Sequence, residues 1–379
     1  MDYSSVDKFI DRIVEESTPA APLWNTERAK NGKSAAPDFG DGCLMSALYA
    51  YYKSTGDKKY LKFIDDFMDG CVADDGAMQG YSPEDYNLEY FNAGRILFDL
   101  YRETCKDKYI KAIDVLGKQL GGQPRTAIGD FWYKKVYPNQ VLLEGLYAAQ
   151  VFYARYETEY NRGKNYADIV KQFKNAYENM YDKDKKLYFH GLDYSRTALW
   201  SDAQTGLSKS FYLRAIAYFA AGLADAIGYM DRSRPDLKAE MITVFRRTIV
   251  GLEQYIDPDK HMFWQVVDAA GKDGNYLETS GSALIAYAML RGARFGYVDK
   301  RFAEVGKSIF DGVCAEYLTE TDGKLNLGGI CLWAGLGPED RANRNGTFEY
   351  YVSQPTAVND AKGVAPLIAA YTEVKRLIK

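Results

Sequence analysis

Two hydrophobic patterns alternate along the chain. In the first, apolar residues recur at three- and four-residue steps with charged residues between them. Val6, Phe9, Ile10, Ile13 and Val14 open the series. Tyr60, Leu61, Ile64, Phe67, Met68 and Cys71 follow within 57–72, and Tyr166, Ile169, Val170, Phe173, Tyr177 and Met180 within 164–181. Segments 107–120, 236–256 and 301–313 repeat this spacing, which predicts helices with one face in water. In the second pattern, segments 43–54, 90–103, 139–156, 207–226, 279–296 and 358–376 are apolar on nearly every side, which predicts buried helices.

About six segments of each kind follow one another in strict alternation. Six amphipathic helices wrapped around six buried ones predict an all-α (α/α)6 barrel. The spacing between buried segments is irregular, so the repeat is architectural and not one of sequence. Strands are few, with W-Q-V-V-D at 264–268 placed to pair locally. No low-complexity linker divides the chain, so residues 1–379 are expected to form one domain. The glycine- and proline-bearing stretches 31–42, 121–138 and 321–347 read as its loops. In such a barrel the loops entering the inner helices gather at one rim, where a pocket can form.

Charges inside the apolar helices stand out. Glu144 is the only charge between Lys135 and Arg155, Arg214 the only one between Lys209 and Asp225, and Glu278 the only one between Asp273 and Arg291. Glu89 opens another buried segment. A lone carboxylate in such surroundings must be paired, hydrogen-bonded or protonated. Two readings stand side by side. In one, Glu and Arg form a buried ion-pair network that keeps the inner helices in register. In the other, the four sit at one rim of an aromatic bowl, where a carboxyl held protonated near neutral pH acts as a general acid. His190, among aromatics, is either a hydrogen-bonded structural residue or part of that rim. Trp132 and Trp333 either join the core or stack on a sugar, and Lys134 and Lys135 are either solvated or directed inward.

Composition narrows the chemistry. Tyrosine is in excess, 32 against 18 Phe and 5 Trp, which suits a cleft with apolar walls and polar tips as well as a tyrosine-rich core. The net charge of −4 and the lack of a basic patch argue against nucleic acid. Only His190 and His261 are present, which excludes multi-histidine metal sites. Neither the phosphate-loop motif nor G-x-S-x-G occurs. Five scattered cysteines without a C-x-x-C pair suggest reduced thiols in a cytoplasmic setting. The N-terminal stripe is amphipathic, unlike a signal peptide, and no run reaches the length of a membrane span.

Five ordered stretches carry a family resemblance: 123–149, with D-F-W-Y-K-K-V-Y-P-N-Q-V-L-L-E-G-L-Y; 187–196, L-Y-F-H-G-L-D-Y-S-R; 200–215, ending S-F-Y-L-R-A; 264–283, ending N-Y-L-E-T-S-G-S-A; and 346–364, with G-T-F-E-Y-Y-V-S-Q-P. From about residue 40 onward the chain resembles glycoside hydrolase family 105, the unsaturated rhamnogalacturonyl and glucuronyl hydrolases. The resemblance implies an (α/α)6 barrel acting on acidic oligosaccharides left by polysaccharide lyases. It implies hydration of the double bond in a terminal 4,5-unsaturated uronate, with no metal or nucleotide cofactor. A general acid protonates C4, water adds at C5, and the resulting hemiketal opens to release the next sugar.

The same resemblance assigns residues. The family's principal Asp, in W-L-D-G-L-Y, falls on Glu144 in L-L-E-G-L-Y, and its second Asp falls on Glu89. Both acids are one methylene longer here, and positional errors near 1 Å can lower rates about 100-fold. The usual W-H-K-K reads Trp132-Tyr133-Lys134-Lys135, and W-G-R-A reads Tyr212-Leu213-Arg214-Ala215. His190 and Arg214 keep family positions, with Arg214 suited to a uronate carboxylate. Gln140 and Trp333 complete the substrate-binding candidates. Acids at both positions favour retained chemistry, and two neighbouring carboxyls are expected to raise the pKa of one of them. The alternatives are a relative acting on a saturated acidic sugar, another reaction on the same barrel such as epimerisation, a sugar-binding protein without turnover, or a helical protein-interaction array.

Overall fold

The computed structural model describes residues 3–32 and 37–378. Six inner helices form a closed ring: Phe39–Thr55, Tyr90–Gly94 continued by Leu97–Thr104, Leu143–Gly145 continued through Val151–Tyr160, Leu213–Tyr229, Thr279–Arg294 and Ala361–Leu377. Each packs on the next, and the last returns to the first. Outside them run Ser4–Glu15, Lys58–Cys71, Asp107–Gly122, Tyr166–Met180, Pro235–Glu253 and Phe302–Tyr317. The expected (α/α)6 barrel is therefore the observed architecture.

The reason is the burial pattern itself. The outer helix Ser4–Glu15 buries Val6, Phe9, Ile10, Ile13 and Val14, leaves Ser4, Lys8 and Glu15 exposed, and turns Asp7 and Asp11 to the Tyr51 and Tyr60 hydroxyls at its flank. The inner helix Leu213–Tyr229 buries every residue from Leu213 to Ile227. Inner helices approach closely where a side chain is missing. A Cβ on Gly42 would lie 2.4 Å from the backbone of Asn92, so this crossing between the first two inner helices requires glycine.

The differences from expectation are local. The segment 139–156 does not begin as a helix, because Gln140–Leu142 pairs antiparallel with Gly191–Asp193. A wide, π-type turn then occupies Leu146–Gln150 before regular helix resumes. Residues 207–212 precede the fourth inner helix without joining it. The stretch 264–268 forms no strand and makes only single bridges, Val266 to Tyr212 and Trp264 to Leu277. The two-residue to four-residue strands lie elsewhere, including Leu318–Thr321 with Lys324–Leu327 and Ile330–Cys331 with Thr356–Ala357.

No helix among the described residues is long and apolar enough to cross a membrane. A cavity of about 560 Å³ opens at the N-terminal ends of the inner helices. A smaller one of about 260 Å³ lies among their C-terminal halves, and Tyr218 forms part of the wall of both.

Candidate active site

Helix starts position most of the cleft. Phe39 and Gly40, Tyr90, Glu144, Arg214 and Lys362 each stand at or beside the first turn of an inner helix. Several of these starts are capped by acids. Asp38 accepts from the amides of Gly40 and Asp41, Glu278 from Gly281 and Asp360 from Lys362. Five helix N-termini converging on one opening favour an anionic ligand.

Glu144 is placed by the strand pairing before it. Leu142 lies opposite Gly191, and the Leu143 amide donates to the His190 carbonyl at 3.2 Å. The ladder therefore delivers Glu144 beside the His190 ring. Nε2 of His190 lies 2.9 and 3.1 Å from the two carboxyl oxygens. On the other side, Nδ1 lies 2.7 Å from the Tyr351 hydroxyl. An ionised Glu144 only accepts, so Nε2 then donates and Nδ1 accepts from Tyr351; a protonated Glu144 reverses both roles. Tyr351 is stacked against Tyr212, with ring centres 4.8 Å apart. Burial pushes both hydroxyls well above the ordinary tyrosine pKa, so both stay protonated.

Glu89 sits in different surroundings. Its carboxylate accepts from the Tyr133 hydroxyl and pairs with Lys134 at 2.8 Å. Burial alone would raise its pKa, but the Lys134 charge and the hydrogen bonds from Lys134, Tyr133 and Asn87 overcome that effect. Glu89 is thus held below the usual glutamate value, and the expected upward shift does not fall on it. The backbone connects the two acids: the Leu88 amide donates to the Tyr133 carbonyl at 3.1 Å, and the Tyr133 amide to the Gln140 carbonyl at 2.9 Å. Tyr133 also packs on Gly145, where a Cβ would lie 2.9 Å from its ring.

Arg214 is buried at the cleft wall. Its Nη1 donates to the Cys331 carbonyl and, at 3.2 Å, to Ser280 Oγ, and lies 4.0 Å from Glu278. Glu278 does not line the cleft. It is spent on the Gly281 amide, the Ser280 hydroxyl and the Cys331 amide at 2.6–3.0 Å. Glu278 is therefore a buried helix cap with Arg214 only at 4.0 Å, while Glu144, Glu89 and Arg214 share one opening.

Tyr133, Tyr212 and Trp333 also line that opening, and Lys134 and His190 touch its acids from behind. Gln140 and Trp132 do not line it. Gln140 is buried in the strand, and Trp132 is held through its backbone by Pro124 and Gln123. Tyr90, Tyr218, Arg344 and Lys362 are among the cleft residues that carry no signal in the sequence. Tyr351 behind His190 was also missed, although it lies within the quoted stretch 346–364, which was its available signal. Among the described residues, no group of three or more His, Cys, Asp or Glu is placed to hold a metal ion.

The family model for Glycosyl Hydrolase Family 88 matches residues 7–378. The chain belongs to this family. A solved family 105 glycoside hydrolase from C. acetobutylicum ATCC 824 is 36% identical, with 98% of each chain covered and a TM-score of 0.88. That agrees with the resemblance read from the motifs. The 24.9 kDa protein in picA locus of Rhizobium radiobacter is 36% identical over 213 residues, 54% of this chain and 89% of that protein. A structure named as an unsaturated glucuronyl hydrolase specific for heparin covers 99% of this family 88 chain and 97% of its own, with a TM-score of 0.72. At 15% identity that likeness is one of fold.

Proposed function

We propose that this family 88 protein removes a terminal 4,5-unsaturated uronate from short acidic oligosaccharides by hydrating the C4=C5 bond. The observation that carries the reading is the unequal setting of two glutamates on one cleft. Lys134 and Tyr133 keep Glu89 ionised, whereas Glu144 meets an imidazole that can exchange a proton with it. Separate environments for two carboxyls are how one site supplies both an acid and a fixed negative charge.

In this scheme Glu144, protonated, gives its proton to C4 while water adds at C5. The water's second proton returns to the Glu144 carboxylate. The C5 hemiketal opens by breaking the bond between C5 and the ring oxygen, which leaves a ketone at C5 and a hemiacetal at C1; that hemiacetal collapses to an aldehyde and releases the next sugar as an alcohol. Glu89 stabilises positive charge at C5, and His190 with Tyr351 orients Glu144 in either protonation state. Arg214 binds the uronate carboxylate through the nitrogens its Nη1 contacts leave over. The five unpaired cysteines support action in a reducing, cytoplasmic compartment.

The test is turnover of lyase-generated disaccharides, followed as loss of the ultraviolet absorbance of the conjugated double bond. Saturated disaccharides of the same sugars serve as the comparison. Release of the second sugar only from unsaturated substrates is the expected result. Equal or faster cleavage of saturated substrates would overturn the reading.

A further inference from the structure

The charges along the cleft do not balance locally. Arg28 faces Asp38 at 3.8 Å, and Lys362 pairs with Glu27 at 2.8 Å. Glu89 has Lys134, Glu144 has His190, and Arg214 is 4.0 Å from Glu278. Arg344 lines the same cleft and forms no ion pair among the described residues. Backbone hydrogen bonds hold its loop. The Arg344 carbonyl accepts from the Gly337 amide at 3.1 Å, and its amide donates to the Arg341 carbonyl at 2.9 Å. Tyr350 and Tyr137 hold the same loop by donating to the carbonyls of Gly335 and Leu336. Nη1 of Arg344 lies 3.8 Å from the position a Cβ on Gly335 would take, two residues from Trp333 on the cleft wall.

We infer that Arg344 anchors an acidic group on the second sugar, so that the substrate class is an unsaturated uronate attached to another anionic sugar. The inference rests on the hydration reading. With Arg214 committed to the terminal uronate, Arg344 is the remaining guanidinium on the cleft wall without a carboxylate among the described residues. A guanidinium fork matches carboxylate or sulfate oxygens with two parallel hydrogen bonds. Trp333, which lines the same cleft, offers a flat apolar surface for a sugar face. The cleft, at about 560 Å³, is large enough to hold more than one sugar ring.

The experiment uses two disaccharides with the same unsaturated uronate, one joined to a neutral hexose and one to a saturated uronate. Wild-type protein is expected to show the higher kcat/KM on the diacidic substrate, with a preference that shrinks as salt rises. Arg344→Gln should lower kcat/KM on the diacidic substrate by roughly 10–100-fold, the range for a lost charge-assisted hydrogen bond. Its loss on the neutral-aglycone substrate should be several-fold smaller, and Arg344→Lys should fall between. Equal wild-type rates on the two, or an equal loss on both in Arg344→Gln, overturns the inference. If neither disaccharide turns over, the hydration reading fails. Calorimetric binding of the same pair then decides the role of Arg344: tighter binding of the diacidic ligand, abolished in Arg344→Gln, upholds the anion subsite, and equal binding rejects it.

Discussion

His190 Nε2 spans both oxygens of Glu144, at 2.9 and 3.1 Å, while its Nδ1 reaches Tyr351. The imidazole thus sets the direction of the carboxyl without itself lining the cleft. Glu144→Gln keeps the shape and removes the proton. Its kcat should fall by about 10²–10⁴-fold, the usual share of general acid–base catalysis, with little change in KM. Steady-state kinetics on an unsaturated disaccharide check this.

His190→Ala should act through Glu144. Freed from its partner, the carboxyl loses its fixed aim, and kcat should fall by up to roughly 100-fold. Tyr351→Phe removes only the outer hydrogen bond, so its loss should be smaller and of the same kind. Comparing kcat and KM across the pair distinguishes aiming of Glu144 from a general loosening of the pocket.

The pKa of Glu89 reflects burial opposed by Lys134. In Lys134→Met the opposing charge is gone and burial prevails, so the pKa of Glu89 must rise. The acid limb of kcat/KM against pH should therefore move upward, because Glu89 takes up a proton at a higher pH than in the wild type. An unmoved limb would show that Glu89 need not be ionised.

Gly145→Ala tests the packing between the acids. Its methyl would meet the Tyr133 ring at 2.9 Å, and that ring carries the hydroxyl bound to Glu89. Activity should drop by roughly tenfold or more through misplacement, with a stability loss of about 1–3 kcal/mol from overpacking. Urea unfolding alongside kinetics measures both.

Glu278→Ala should behave oppositely to Glu144→Gln. Three buried donors lose their acceptor, so unfolding free energy should fall by roughly 2–4 kcal/mol. At temperatures where the protein remains folded, activity should persist. Complete inactivation of a folded variant would place Glu278 in the chemistry.

The barrel was legible in the sequence because each helix carries its own instructions. The stripe from Val6 to Val14 and the all-round apolar run after Leu213 state outside and inside without reference to distant residues. The rim charges were legible for a similar reason: Glu144 and Arg214 are each alone in an apolar run. What stayed hidden depends on partners far along the chain. Gln140–Leu142 reads as helix until Gly191–Asp193 pairs with it. Glu278 resembles Glu144 in context, and only the Cys331 and Gly281 amides reveal it as a cap. Lys362 reaches the cleft because the last inner helix closes on the first, and Arg344 because Tyr137 and Tyr350 hold its loop there, contacts with no local signature.

The broad turn at Leu146–Gln150 gives this barrel an unusual tolerance of one change in chain length. A π turn accommodates one residue more than ordinary winding allows. Deleting one residue there lets regular winding resume with both flanks still in phase, so Glu144 keeps its place beside His190. The regular turns after Val151 carry no such allowance. Each residue there turns the chain by about 100°, so a deletion would set the strand pairing before Glu144 against the packing of the helix after it.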